Sequence, residues 1–252
     1  MGTSKTLNNL RPEFLGHLHS FRALAILKIV FGHAMAAAFI GVYGLFDDSK
    51  LVLLVSEIIY HASTLYFSII SGLLFSKVLK QKGYFKFYIS KIKHIVLPYL
   101  FLTIVLTLVK IDFNNFSSFS KILDYTANKV GLNMLYGQAS FALWYIPVLL
   151  CLYLLTPLLS FLQTKNKMGN LVFLAIIFIP IFISRVPISQ DYALRIETVI
   201  YFAGAYAFGM FLGENLNQNL FLIDKYKKLL IALAVLSTIY LFYLFLNEIM
   251  ST

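Results

Sequence analysis

Charged side chains are scarce in this chain. Asp, Glu, Lys and Arg make up 13% of its 252 residues, against about a quarter in a soluble globular domain. Together with 60% hydrophobic residues and a mean hydropathy of +0.80, that shortage excludes a soluble enzyme or binding module. The single cysteine, Cys151, lies inside an apolar run, so there is no disulfide framework. No internal repeat and no soluble domain are found. No cleavable signal peptide is read either, because Thr3 to Asn9 are polar and the first apolar run is too long for a signal core. Acid is the rarer charge, 11 residues against 21 Lys and Arg, for a net +10. Such an excess could suit nucleic acid. Here, however, the charges fall mostly between apolar runs, where they act as topology signals and not as a nucleic-acid surface.

What is present is a series of apolar runs of bilayer length. They predict an all-α, polytopic transmembrane helix bundle of about seven spans, near 20–43, 51–76, 95–111, 139–162, 169–186, 196–213 and 229–247, with those at 95–111 and 169–186 short. Prolines inside the fourth and fifth spans are tolerable, since neighbouring helices satisfy the freed carbonyls. Between spans lie a basic segment at 77–94 and the longest loop, 112–136, rich in Asn and Ser with room for a short interfacial helix. With the N-terminus inside, the inner segments hold thirteen Lys and Arg and the outer segments six. That bias sets a multi-pass protein of the cell membrane with its N-terminus cytoplasmic.

The ionisable residues within these spans are the candidates for chemistry. Arg22 and His33 lie on the first span with Lys28 between them. Eleven residues are close to three helical turns, so the two positions are offset by about 20° and separated by about 16 Å along the axis. If Arg22 is at one membrane face, His33 is near the midplane, a depth at which ionisable groups usually face a bundle interior or a wet cavity. His61 reaches a similar depth on the second span, while Lys91, Lys93 and His94 gather with Arg22 at the inner mouth. A cationic mouth attracts phosphates, as on the nucleotide part of a coenzyme. An imidazole above it could take a proton from a hydroxyl. A donor from below and an acceptor from above would then meet near His33, a geometry suited to group transfer across a membrane.

Plainer readings stand beside each of these. Arg22 and Lys28 could snorkel and anchor the helix, and His33 could be a hydrogen-bonded core histidine. The lysines from 77 to 86 fit an ordinary positive-inside loop. Glu57 and His61, four residues apart, are two possible metal ligands, fewer than a site needs, and a hydrogen-bonded pair explains them more simply. Ser71-Gly72 suits close helix approach, and Trp144-Tyr145 sits where an interfacial aromatic belt is expected.

Taken together, the chain resembles the acyltransferase-3 family of integral membrane acyltransferases. The likeness is carried by Arg22 and His33 with ten residues between them. It continues through Phe67-Ser68-Ile69-Ile70-Ser71-Gly72-Leu73-Leu74, the segment from Tyr88 through Lys91, Lys93 and His94 to Pro98-Tyr99, Leu143-Trp144-Tyr145, and the run from Tyr201 through Gly204 and Gly209 to Met210. The pattern is similar to the IcaC-like branch associated with polysaccharide intercellular adhesin.

The resemblance implies a single membrane acyltransferase-type domain over residues 1–252. It implies acyl-CoA (acetyl-CoA or succinyl-CoA) as cytoplasmic donor, an extracytoplasmic surface glycan as acceptor, and no metal. His33 would be the catalytic base or acyl relay, assisted by Arg22. Lys91, Lys93, His94, Ser71, Trp144 and Tyr145 would be substrate-binding positions. Membrane lipid and polysaccharide synthase or export proteins are the implied partners.

Two departures stand out. Lys91 and His94 fill places where the family often has arginines, and His19 stands where an acidic residue is common. The family has about ten spans of bilayer length, so the expectation is a chain lacking the last spans. The rival readings are a non-enzymatic polysaccharide export component, an inactive truncated relative, and a small-solute transporter. Against the last, there is no repeat and no pair of broken helices.

Overall fold

The computed structural model describes residues 12–43, 63–111, 118–163, 167–183, 195–214 and 216–251, less the side chains of 12–19, 33, 36, 37, 39–43, 78, 81, 141, 245 and 248–251. The described residues form helices and turns with no strand. The helices are α1 (Pro12–Tyr43), α2 (Ser63–Leu74), α3 (Tyr84–Lys91), α4 (Leu97–Val109), α5 (Phe119–Tyr136), α6 (Tyr145–Leu162), α7 (Lys167–Phe182), α8 (Ile196–Glu214), α9 (Leu216–Lys225) and α10 (Lys227–Ser251).

Among the described residues, four helical runs are long and apolar enough to cross a membrane: Tyr84–Val109, Tyr145–Leu162, Ile196–Glu214 and Lys227–Leu244. Lys167–Phe182 is a shorter apolar helix. The protein is thus a helical membrane protein, as its hydropathy predicts. The expected first span falls on α1, and most of the expected second lies outside the described residues.

Two segments differ from the sequence reading. The helical run that carries the third span is not short. It begins at Tyr84, because α3 and α4 are joined by a single π turn at Ile92–Val96 into one helical run. Pro98 supplies the reason. It has no N–H to return to the carbonyl of His94 and its ring crowds that carbonyl, and the wider turn relieves both, with Leu97 N–H reaching back to Ile92 O. The Asn- and Ser-rich stretch is also more than a loop. Its residues 119–136 form the 18-residue helix α5. Gly137 ends α5 in the left-handed region (φ 70°), its N–H donating to Asn133 O at 2.8 Å.

The chain divides into two compact units, Ser71–Glu214 and the combination of Met1–Ile70 with Asn215–Thr252. In the first, α8 is the most buried of the four spanning runs and packs on α7, α6 and the π turn Phe75–Leu79. Lipid tails are as apolar as Leu, so helices in a bilayer associate through close packing of small residues and through interhelical hydrogen bonds. The small residues of Ala203-Gly204-Ala205 and Ala207 meet that need. Gly72 meets it from α2: a methyl group there would run into the Tyr206 carbonyl oxygen and come within 3.0 Å of the Met210 amide. On α6 the buried residues Tyr145, Leu149, Leu152, Thr156 and Leu159 follow one helical face.

In the second unit, α1 meets α2 through aromatic and cationic side chains. Phe21 lies edge-on to Tyr66 at 6.3 Å.

Candidate functional site

Among the predicted site residues, Lys91 has the most defined surroundings. It closes α3, half-buried, with its ammonium 4.4 Å from the centre of the Tyr153 ring and 5.3 Å from that of Phe87. The π turn that follows determines which way this face of the run continues. A π turn inserts one residue, so Phe87 and Tyr99, twelve apart in sequence, are spaced like residues about eleven apart, close to three full turns. Phe87, Tyr99, Thr103 and Thr107 are accordingly all buried along one side of the run. Lys91 is placed on that side as well. Lys93 and His94, within the π turn, are exposed. The three basic residues therefore differ in their surroundings: one is seated on aromatic rings and two are exposed.

The seat beneath Lys91 is made by three elements. Tyr153 on α6 is buried, its ring edge-on to Phe87 at 5.5 Å and to Tyr206 of α8 at 6.3 Å. Tyr88 donates from its hydroxyl to the backbone oxygen of Tyr153 at 3.1 Å. Tyr206, fully buried, lies 2.9 Å from Thr156 Oγ1, which donates to Leu152 O at 2.9 Å. The one hydroxyl proton of Thr156 is spent on that carbonyl, so Tyr206 is the donor of the pair. Sequence reasoning missed Tyr153, Tyr88, Tyr206 and Thr156. The available signal was the recurrence of hydroxyl-bearing residues inside apolar spans, where polar groups bind helices to one another.

Trp144 and Tyr145 begin α6 and are both buried, packed on Phe202 at 5.9 and 5.2 Å. Both rings face the interior of the unit. Ser71 is buried beside Gly72. In the other unit, Arg22 is exposed, its guanidinium carbon 5.9 Å from the Phe67 ring centre, and Lys28 lies 5.3 Å over Tyr66. His33 lies on α1, and its side chain is outside the described residues, as are Glu57 and His61. Among the described residues no group of three His, Cys, Asp or Glu is placed to hold a metal ion.

Apolar helices of bilayer length, joined by buried aromatic rings and interhelical hydrogen bonds, define a helical membrane protein. The acyltransferase-3 family model, described as an acyltransferase domain, matches residues 16–251. The chain belongs to this family of membrane acyltransferases, whose activity requires an acyl donor. Neither the curated proteins nor the solved structures contain a match.

Proposed function

We propose that this acyltransferase moves an acetyl or succinyl group from cytoplasmic acyl-CoA to a hydroxyl of an extracytoplasmic cell-surface polysaccharide, within the IcaC-like branch of the family. The observation that carries the reading is the unbroken α1 helix from Pro12 to Tyr43. A helix without a break keeps positions 22 and 33 nearly eclipsed and about 16 Å apart, the separation of a membrane face from the midplane.

In this reading the whole of residues 1–252 serves as one acyltransferase-type domain, in the cell membrane with the N-terminus cytoplasmic. Support for that orientation comes from the excess of Lys and Arg in the segments it places inside. Lys91, Lys93 and His94 attract the phosphates of the donor, and Arg22 assists His33. His33 takes the proton of the glycan hydroxyl as its oxygen bonds to the thioester carbonyl carbon. The C–S bond then breaks, and the proton passes to the departing thiolate. Ser71, Trp144 and Tyr145 shape the path of the acceptor. The polymer's synthase and export proteins are the partners that would deliver it.

The test is mass spectrometry of surface glycan from cells carrying the wild-type protein, His33→Ala, or none. Loss of acyl groups in both mutants, with polymer still at the surface and the His33→Ala protein still in the membrane, is the expected result. Unchanged acyl content, with polymer trapped inside when the protein is absent, would make it an export component instead.

A further inference from the structure

We infer that Tyr153 is a positioning residue for the donor: its ring face seats the Lys91 ammonium and fixes where that charge meets a phosphate. The inference rests on the reading of Lys91 as a donor contact. Lysine is a compact charge on a four-carbon stem with much rotational freedom, and it lacks the planar fork with which arginine grips a phosphate from two sides. A lysine at such a site gains precision only if something else restrains it.

Here the restraint is an aromatic floor. Tyr153 lies 4.4 Å below the ammonium and Phe87 flanks it at 5.3 Å. The attraction between a cation and a ring face strengthens when the pair is withdrawn from water, and Tyr153 is 4% exposed.

Tyr153 is itself held on three sides. Tyr88 hydrogen-bonds its backbone carbonyl, Phe87 meets its ring at 5.5 Å, and Tyr206, anchored through Thr156, meets it at 6.3 Å. Lys91 shares its side of the run with Phe87 one turn before it, and the π turn at Ile92–Val96 completes the arrangement by bringing Tyr99 to that same side. Helices α3, α6 and α8 thus converge on the one ring that carries the charge.

The test is equilibrium binding of radiolabelled acetyl-CoA to the full chain in lipid nanodiscs, with donor KM and kcat measured alongside. Tyr153→Phe keeps the ring and should bind within about twofold of wild type, while Tyr153→Leu should weaken binding on the order of tenfold. That loss should appear in donor KM and not in kcat. Tyr153→Met replaces the leucine variant if the latter does not fold. Lys91→Gln should weaken binding by a similar factor, and Tyr153→Leu should add nothing in the Lys91→Gln background.

Equal affinity of wild type and Tyr153→Leu would overturn the inference while leaving the proposed function standing. So would equal losses in the Phe and Leu variants, or a full additional loss in the double variant. A wild-type protein that binds no acetyl-CoA would overturn the donor reading itself.

Discussion

Asn133 on α5 donates from Nδ2 to Thr107 Oγ1 on α4 at 2.8 Å, both residues buried. Thr107 passes its own proton to Thr103 O at 2.6 Å, and Tyr99, one turn before Thr103, donates to Met134 O at 2.8 Å. Lys110 adds a bond to Ala139 O at 2.7 Å. These bonds fasten a polar helix to a spanning one where apolar packing alone has little purchase, because lipid competes for the same surface.

Replacing Asn133 by Leu should therefore release α5 selectively. The change removes the donor to Thr107 and costs about 0.5–2 kcal/mol, the range of a hydrogen bond between membrane helices. Hydrogen exchange checks it: amides of 119–136 should lose protection while those of α6 and α8 keep theirs. Uniform loss across all three helices would mean that the bond supports the whole unit.

How much of this was legible in the sequence depends on the kind of signal. Apolar runs of bilayer length gave α7, α8 and α10 to within a few residues and the end of α6, whose start at Tyr145 lies later than expected, since hydropathy decides what can cross a membrane. A short helix was expected at 112–136, but the length of α5 was hidden because Gly131 and the Asn residues lower helix propensity, and what holds it is a set of side-chain bonds from α4 that no local pattern displays. The early start of the third span was hidden by its lysines, which read as loop charges until the π turn is seen to carry the helix through them. Lys91, Lys93 and His94 look equivalent as neighbours in a basic string. Lys93 leaves that side in any helix, whereas His94 would lie within about 60° of Lys91 but for the wider turn. Gly72 was the reverse case. A glycine beside a serine in an apolar run already pointed to close helix contact, and the Tyr206 backbone is what it meets.

Gly72→Ala should destabilise the packing of α2 on α8. The atoms in the way are backbone, the Tyr206 carbonyl and the Met210 amide, and backbone cannot swing aside as a flexible side chain does. Overpacking of this kind costs about 1–3 kcal/mol. The measurement is the melting temperature of the detergent-solubilised protein by size-exclusion fluorescence. A melting temperature equal to that of wild type would show that the two helices separate freely.

The orientation proposed from loop charge predicts a labelling pattern. Cys151 is the only cysteine, so Cys151→Ser provides a clean background. In it, Lys121→Cys on α5 should react with a membrane-impermeant maleimide in intact cells. Lys82→Cys, in the turn before α3, should react only after permeabilisation. The reverse pattern would place the N-terminus outside and leave the basic segment without its proposed access to a cytoplasmic donor.

The direction of the Tyr206–Thr156 hydrogen bond makes two variants unequal that would otherwise look alike. Tyr206 donates to Thr156, and Thr156 donates to Leu152 O. Tyr206→Phe removes a proton donor and leaves Thr156 still bonded to its carbonyl, so nothing buried loses its only partner. Thr156→Val keeps the shape of the side chain but leaves the fully buried Tyr206 hydroxyl with no acceptor there. An orphaned buried donor costs about 1–3 kcal/mol, against about 1 kcal/mol for a bond whose partner remains satisfied. Thr156→Val should therefore lower the melting temperature more than Tyr206→Phe. Combining them should recover part of the loss, because the orphan is removed with its bond. If Tyr206→Phe is the more damaging of the two, or if the losses simply add, the hydroxyl of Tyr206 has another acceptor and the ring beneath Lys91 is held in place by packing alone.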